Sequence, residues 1–319
     1  MRTRTKVWLI IAGSLLVIGG ILLAGVTTTL GWDFLKLSTE KYEKNIYTFS
    51  EAFDNISMNT DTADIMLAVS DDGKCWVECY EEENARHSVT VKDGTLTIEL
   101  PEDEAVWHFG ISFDSPKITV YLPKTEYASL FIDEDTGDIK IPKTFTFRDV
   151  EISLSTGDVN FYASASGKLQ IKASTGDICV ENISAGALDL SVSTGDVTAS
   201  GITCPGDVTG GVSTGEARLA DIRCKNVISR GSTGEISLDN VIATEKFSIE
   251  RSAGSVKFNL CDAAEIFVKT NTGDITGSLL SSKVFIADSD AGSVDVPKTV
   301  NGGKCEVTTN TGSIKLDIQ

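Results

Sequence analysis

Residues 188–199 read LDLSVSTGDVTA, and this stretch decides the fold. Apolar and polar residues alternate on both sides of Gly195, which is typical of two strands that each bury one face. A glycine between two strands tolerates the positive φ that a sharp bend often requires. The stretch therefore predicts a strand, a tight turn and a second strand.

The same turn occurs ten times after residue 130, at spacings of 19 or 20 residues. A fixed period near 20 indicates one supersecondary unit stacked on itself, and it leaves no room for a crossover helix. We therefore predict an all-β fold, a single-stranded parallel β-solenoid of about ten coils with like residues about 4.8 Å apart. Its turn glycines are Gly137, Gly157, Gly176, Gly195, Gly215, Gly234, Gly254, Gly273, Gly292 and Gly312.

The N-terminus carries a long apolar stretch. Residues 7–26 contain no charged side chain, and Arg2, Arg4 and Lys6 precede them. Twenty apolar residues suffice to span a bilayer, and the basic flank predicts a cytoplasmic N-terminus with an extracellular C-terminal part. A cleaved signal peptide is the alternative, but the stretch is long for one and no convincing cleavage site follows. The predicted localisation is a single-pass protein of the cell membrane.

Four regions follow along the chain. We assign 1–30 to the cytoplasmic tail and membrane anchor, 31–45 to a linker, 46–129 to a β-rich cap with opening coils, and 130–319 to the solenoid. In the cap, Asp93-Gly94 is a hairpin signal, and residues 59–65 repeat the later turn with Ala63 in place of glycine. Residues 314–319 have no obvious cap after them, which predicts a free strand edge there.

The formal net charge is −18. An acidic protein of this kind is a poor ligand for nucleic acid or anionic lipid, and the charge keeps it soluble. The sequence contains no phosphate-binding loop, zinc-ligand spacing or dinucleotide fingerprint, so we predict no cofactor.

Acidic residues follow the turn glycine in seven of the ten copies. In register they form a column, and Asp138, Asp158, Asp177 and Asp196 are candidates for a row of weak Ca²⁺ sites. One carboxylate per coil supplies few of the six to eight oxygens that calcium prefers. The alternative is that each aspartate caps its turn and keeps the edge soluble.

The seven cysteines are scattered, and their odd number leaves at least one unpaired within the chain. Cys204 and Cys224 occupy the same place in successive coils, where stacking would bring them within disulfide range. An exported protein could oxidise them. The alternative is two small side chains at a coil corner.

An enzyme is disfavoured because the constant spacing leaves no inserted loop in which to build an active site. The two histidines, His87 and His108, lie in the irregular region without a nucleophile motif. Arginines in adjacent coils have acidic neighbours, which favours a charge-paired surface. They are Arg218, Arg223, Arg230 and Arg251.

The serial turns, the strand KITVYLP at 117–123 and the apolar N-terminus together resemble the bacterial "putative adhesin" β-solenoid family, which includes LiaG-like cell-envelope proteins. The resemblance implies a non-catalytic protein of the cell envelope. We expect a membrane-anchored extracellular module that serves a binding or structural role, with cell-surface polysaccharide or an envelope protein as its partner. The alternatives are an accessory or sensor protein in envelope-stress signalling and, less favoured, a glycan-cleaving β-helix enzyme. Copies at Gly254 and Gly292 replace threonine by alanine and the acid by serine, which interrupts the acidic column.

Overall fold

The computed structural model describes residues 3–29, 41–101 and 115–319. Helix α1 (Thr3–Thr29) contains the apolar stretch, which confirms a helix there. Among the described residues, no helix is both long enough and apolar enough to cross a bilayer. The membrane-spanning role of this segment stays a prediction. His108 and most of the predicted linker lie outside the described residues.

Seven strands form the N-terminal region: β1 (Tyr42–Thr48), β2 (Asn55–Thr62), β3 (Asp64–Val69), β4 (Trp76–Glu82), β5 (Ser88–Lys92), β6 (Thr95–Glu99) and β7 (Lys117–Leu122). Strands β2 and β3 make the first coil, because β2 pairs in parallel with β8 and β3 with β9. Thr62 lies opposite Thr136, so the turn that contains Ala63 stacks on the turn of Gly137. The predicted opening coil is confirmed.

The regular coils each contain a long strand that ends at the turn and a strand that follows the turn. Their strands are β8 (Glu126–Thr136), β9 (Ile139–Ile141), β10 (Thr146–Thr156), β11 (Val159–Phe161), β12 (Ser164–Thr175), β13 (Ile178–Glu181), β14 (Ala185–Thr194), β15 (Val197–Thr203), β16 (Asp207–Thr214), β17 (Ala217–Thr233), β18 (Ile236–Asp239), β19 (Ile242–Ala253), β20 (Val256–Thr272) and β21 (Ile275–Leu279). Strand β8 crosses the predicted domain boundary at 129/130, so cap and coils form one continuous stack.

Pairing between neighbouring coils is parallel and keeps the turns in register. Thr156 lies opposite Thr136 and Thr175, and Thr194 lies opposite Thr175 and Thr214. Alternate side chains point inward, and the apolar ones form one continuous buried core. Each fully buried Leu or Ile contributes about 1.5–3 kcal/mol to that core. The predicted all-β solenoid of about ten coils is confirmed.

The N-terminal end is closed by antiparallel strands. Strand β6 stacks in parallel on β2, and β5 covers β6 through the hairpin predicted at Asp93-Gly94. On the other wall β7 stacks on β3, and β4 and then β1 continue the sheet in antiparallel fashion. The predicted antiparallel cap is therefore confirmed.

The C-terminal end contains the last four strands, β22 (Lys283–Ala291), β23 (Val294–Asp295), β24 (Gly303–Thr311) and β25 (Ile314–Ile318), stacked out of chain order. Strand β24 lies between β20 and β22, and β25 lies between β21 and β23. The chain thus forms its outermost coil first and then returns to fill the gap beneath it. The free edge predicted at 314–319 is confirmed only in part, because β23 pairs with Ile314 and Lys315. The remainder of the free edge belongs to β22 and β23.

Candidate functional site

The turn column is held together by close backbone contact. Nine of the ten turn glycines have φ between 124° and 153°, and only Gly292 in the outermost coil does not. A Cβ at any of the ten would lie 1.7–2.2 Å from the carbonyl oxygen of the residue stacked beneath it. The sequence predicted the positive φ of these glycines. The need for a residue without a Cβ follows from the close stacking of the coils.

The acidic column bonds one coil to the next. Asp158 N–H donates to Asp138 Oδ1 at 2.9 Å, and Asp177 N–H donates to Asp158 Oδ1 at 2.8 Å. The series continues from Asp196 to Asp177 and from Glu216 to Asp196, both at 2.8 Å. Each aspartate therefore satisfies a backbone donor of the following coil.

The four calcium candidates Asp138, Asp158, Asp177 and Asp196 all lie in this column, one per coil. Among the described residues, no three acidic side chains of the column bring their oxygens within 4.8 Å of one another. The observed hydrogen bonds give these residues a structural role, and the calcium ladder stays a prediction.

Cys204 and Cys224 stack in adjacent coils as predicted, and both are buried free thiols. Cys204 Sγ lies 3.6 Å from the Asp207 carbonyl oxygen, while Cys224 Sγ lies 3.9 Å from that of Ile242. Burial raises the pKa of Cys204 and raises that of Cys224 to about 12. The disulfide between them stays a prediction.

The outermost coil exposes apolar side chains at its free edge. Outside α1, the described residues include eight exposed large hydrophobic side chains, and five of them lie between residues 280 and 300. These five are Leu280, Val284, Ile286, Val294 and Val300. We call this surface the open end. Phe285 is only partly buried there, although its strand partner Cys305 is fully buried.

A shallow polar groove of about 440 Å³ runs across the long strands of the middle coils. Ser153, Lys172, Ser191, Gly211 and Arg230 occupy successive register positions on the outer side and line the groove. Four further serines line its rim, Ser155, Ser174, Ser193 and Ser213. The groove is a second surface that suits a polar ligand.

The cap contains a buried polar network centred on Glu81. Its carboxylate accepts hydrogen bonds from His87 N–H and His87 Nδ1, both at 2.7 Å, and from Asn45 Nδ2 at 2.8 Å. Tyr47 Oη donates to the same carboxylate at 3.3 Å. Burial opposes ionisation of Glu81, but the bonds from His87 and Asn45 outweigh it and hold its pKa below the usual value.

Besides Lys283, which pairs with Asp262, two charged side chains lie inside the solenoid. Glu134 accepts hydrogen bonds from Thr60 Oγ1 and from Ala63 N–H, and burial raises its pKa to about 7. Arg251 is 3% exposed, and its Nη1 donates to the Val212 carbonyl at 3.2 Å across the space that Gly231 leaves free. Its Nε has no partner, and burial lowers its pKa. Neither charge has a salt-bridge partner among the described residues.

The family model that matches this chain is Toastrack DUF4097, over residues 53–211. Residues 53–211 are therefore similar to the Toastrack family. The match begins just before the first coil and ends within β16, and the coils that follow continue the same stack. No curated protein matches the sequence of the chain.

Three solved structures are similar to this chain. A "putative adhesin" from Bacteroides fragilis is 18% identical over 86% of this chain and 97% of its own, with a TM-score of 0.38. A "putative adhesin" from Parabacteroides merdae is 12% identical over 88% and 96%, with a TM-score of 0.45. A "putative lipid binding protein" from Parabacteroides distasonis is 16% identical over 75% and 95%, with a TM-score of 0.44. At such identities and TM-scores, the likenesses say nothing about what this chain binds.

Sequence patterns placed the turn glycines, the acidic column and the stacked cysteines of this chain correctly. The prediction that Arg251 belongs to a charge-paired surface is wrong, because the alternation through Phe247 and Ile249 points it inward. Arg218 does lie on such a surface, between Glu216 and Asp196. The same alternation marks Glu134 after Ile132 as an inward charge, so a signal for the interior groups was present.

Proposed function

We propose that this chain is a non-catalytic binding module of the bacterial cell envelope, and that the open end is its contact surface. The observation that carries the proposal is the concentration of exposed apolar side chains on the coil that carries the unpaired parallel edge of the stack. Exposed apolar clusters on an otherwise polar protein mark sites of interaction. A free strand edge adds a row of backbone donors and acceptors that another strand satisfies.

The ligand that fits this end is an extended segment of a partner protein. Its backbone would pair with β22, and its apolar side chains would cover Ile286 and Val284. Asp288 and Asp290 are exposed on the same strand, so basic residues in the segment would complement their charge. The partner would thus add a strand to the stack, with affinity from main-chain bonds and specificity from the side chains.

The rest of the molecule supports a display role. The polar residues of the turn column satisfy backbone donors, so the coils form a stiff support rather than a reactive surface. Attachment to the membrane through residues 7–26 and an extracellular solenoid belong to the proposal and rest on the sequence alone. Extraction of cell membranes at alkaline pH, with detection of the chain in the pellet, tests the attachment.

Site-specific photo-crosslinking on intact cells tests the open end. A crosslinker at Ile286 should capture a protein, whereas one at Phe131, an exposed apolar residue of a regular coil, should capture little. Equal capture at both positions would overturn the assignment of the contact surface. Capture of polysaccharide through Lys172 or Arg230 of the groove would move the site there. If the captured protein belongs to an envelope-stress signalling system, the accessory role applies.

Ile286→Asp sharpens the test, because it places a charge in the apolar contact without altering the core. We expect it to abolish capture by a crosslinker at Val294, while Phe131→Asp leaves that capture unchanged. Full capture in the presence of Ile286→Asp contradicts the proposed contact.

A further inference from the structure

The cap brings together a thiol, a carboxylate and an imidazole. Cys79 and Glu81 point to the same side of β4, and His87 returns to them after the turn that follows this strand. Their ligand atoms all lie within 4.8 Å of one another. The three residues are 0%, 1% and 6% exposed, so the group is enclosed by the cap. It is the one such group of potential metal ligands among the described residues.

The spacing is close to that of a zinc site. In tetrahedral coordination, with Zn–N and Zn–O near 2.1 Å and Zn–S near 2.3 Å, neighbouring donors lie about 3.3–3.7 Å apart. The His87 Nδ1 to Glu81 Oε2 distance is 2.7 Å, and the sulfur lies within 4.8 Å of both partners. Changes of about an ångström, within reach of side-chain rotation, would bring all three donors into that range.

The surroundings of Glu81 resemble the outer shell of a metal ligand. Asn45 Nδ2 and Tyr47 Oη both donate to Oε1, whereas His87 N–H donates to Oε2. The two oxygens are therefore oriented separately, and Oε2 faces the ring of His87. Hydrogen bonds of this kind fix the orientation of ligating carboxylates in metal sites.

We propose that Cys79, Glu81 and His87 form a zinc site that fastens the cap. Zinc suits a set of thiolate, carboxylate and imidazole, and the chain supplies three of the four donors, with water as the fourth. Binding requires the Cys79 thiolate and releases its proton. The ion would tie β4 to the segment after it, and through Asn45 and Tyr47 to β1. The proposal is independent of the proposed function, which concerns the opposite end.

Cobalt binding to the full-length chain in detergent, stripped with a chelator and without an affinity tag, tests the site. We expect one equivalent of Co²⁺ to bind with a thiolate charge-transfer band, and Zn²⁺ to displace it. Added Zn²⁺ should raise the melting temperature by several degrees, since a ligand of the folded state stabilises it. Absence of the band together with less than a tenth of an equivalent of bound metal would overturn the proposal.

Two variants separate this site from the other thiols. Cys79→Ala should lose the band and the zinc-dependent rise in melting temperature. The matched control is Cys305→Ala, because Cys305 is equally buried but lies outside the cluster, and it should keep both. A band that persists in Cys79→Ala would assign the metal to another cysteine and refute the site. Should Cys79→Ala fail to fold, Cys79→Ser takes its place, and a thiolate band that persists in Cys79→Ser would refute the site.

Discussion

At the N-terminal end, β5 covers β6 and β4 covers β7, whereas at the C-terminal end β22 and β23 have no further strand beyond them among the described residues. At both ends the strands stack in an order that differs from their order in the sequence. At the N-terminal end β2 lies between β6 and β8, and at the C-terminal end β24 lies between β20 and β22. Only the N-terminal end adds antiparallel strands, so its outermost strands β1 and β5 are joined to their neighbours by antiparallel pairing. The two ends therefore present different edges, and of the described strands only those at the C-terminal end present the parallel edge of a coil.

The chemistry of the two ends differs as well. The cap holds buried polar groups in complete hydrogen-bond networks, as at Glu81, while the open end presents Ile286, Val294 and Val300 to solvent. Buried polar networks fix one arrangement of strands, since any shift leaves a group unpaired. The difference teaches that buried polar bonds hold the cap together, whereas the apolar surface of the open end is available for the proposed contact.

The largest effect should come from the turn column. Gly195→Ala combines a φ of 137° with a Cβ 2.0 Å from the Gly176 carbonyl oxygen, and we expect a loss of about 4 kcal/mol or more in the free energy of unfolding. Gly292→Ala meets a similar contact, but its φ is not positive and its coil is free to move outward. We expect about 1–2 kcal/mol there. Chemical denaturation measures the free energy of unfolding of both variants. Equal losses would mean that the outermost coil is packed as rigidly as the coils in the middle of the stack.

Core truncation at the outermost parallel strand of each end tests the cap directly. Ile98 of β6 is fully buried beneath the cap, and Ile98→Ala should cost about 2–5 kcal/mol. Phe285 of β22 is only partly buried, so Phe285→Ala should cost about 1–2 kcal/mol although it removes more atoms. Thermal unfolding measures the difference. A larger loss for Phe285→Ala would indicate that the open end is covered in solution.

The two buried carboxylates near the cap, Glu134 and Glu81, have pKa values shifted in opposite directions, so they should affect stability at opposite ends of the pH range. Burial raises the pKa of Glu134 to about 7 from an ordinary 4.5, so the folded state holds its proton more tightly than the unfolded chain does. Its contribution to stability is complete below about pH 4.5 and is lost as pH rises towards 7, by roughly 2–3 kcal/mol. Glu81, with its lowered pKa, instead loses stability as pH falls below its ordinary value.

Glu134→Gln isolates this effect, because glutamine keeps a side-chain acceptor for Ala63 N–H without the ionisation. The variant should be more stable than the wild type at pH 7.5 and similar to it at pH 5. Melting temperatures across that range provide the measurement. Parallel pH profiles for the two proteins would contradict the buried ionisation.

A smaller effect should follow loss of one rung of the acidic column. Asp177→Ala removes the acceptor of Asp196 N–H, and we expect a loss of about 1–2 kcal/mol. Asp177→Ser should recover part of it, because Ser255 accepts from Asp274 N–H in the same column. Asp288→Ala on the exposed face of β22 is the control and should change stability by less than about 0.5 kcal/mol. An equal loss of stability in Asp288→Ala would show that the hydrogen bonds of the acidic column do not stabilise the fold.

Much of the site region was readable from the sequence. The alternation around Gly195 gave the inward and outward faces, and the repeated spacing gave the turn column with its aspartates. The hairpin at Asp93-Gly94 and the first coil at Ala63 were also found, because turn chemistry is local. The hydrogen bond that each aspartate accepts from the next coil could not be predicted from the sequence, because it depends on the distance between stacked coils.

Local patterns by themselves determined that this chain is a solenoid, where its turns lie and which residues enter its core. Tertiary structure alone decided which coil is outermost, because β24 and β25 lie between the preceding coil and β22 and β23. It also decided that Cys79, Glu81 and His87 lie close together. The physical reason is that every coil presents nearly the same edge of backbone donors and acceptors. The repeated sequence therefore specifies the register in which two coils pair, whereas the packing of the whole chain decides which two coils become neighbours.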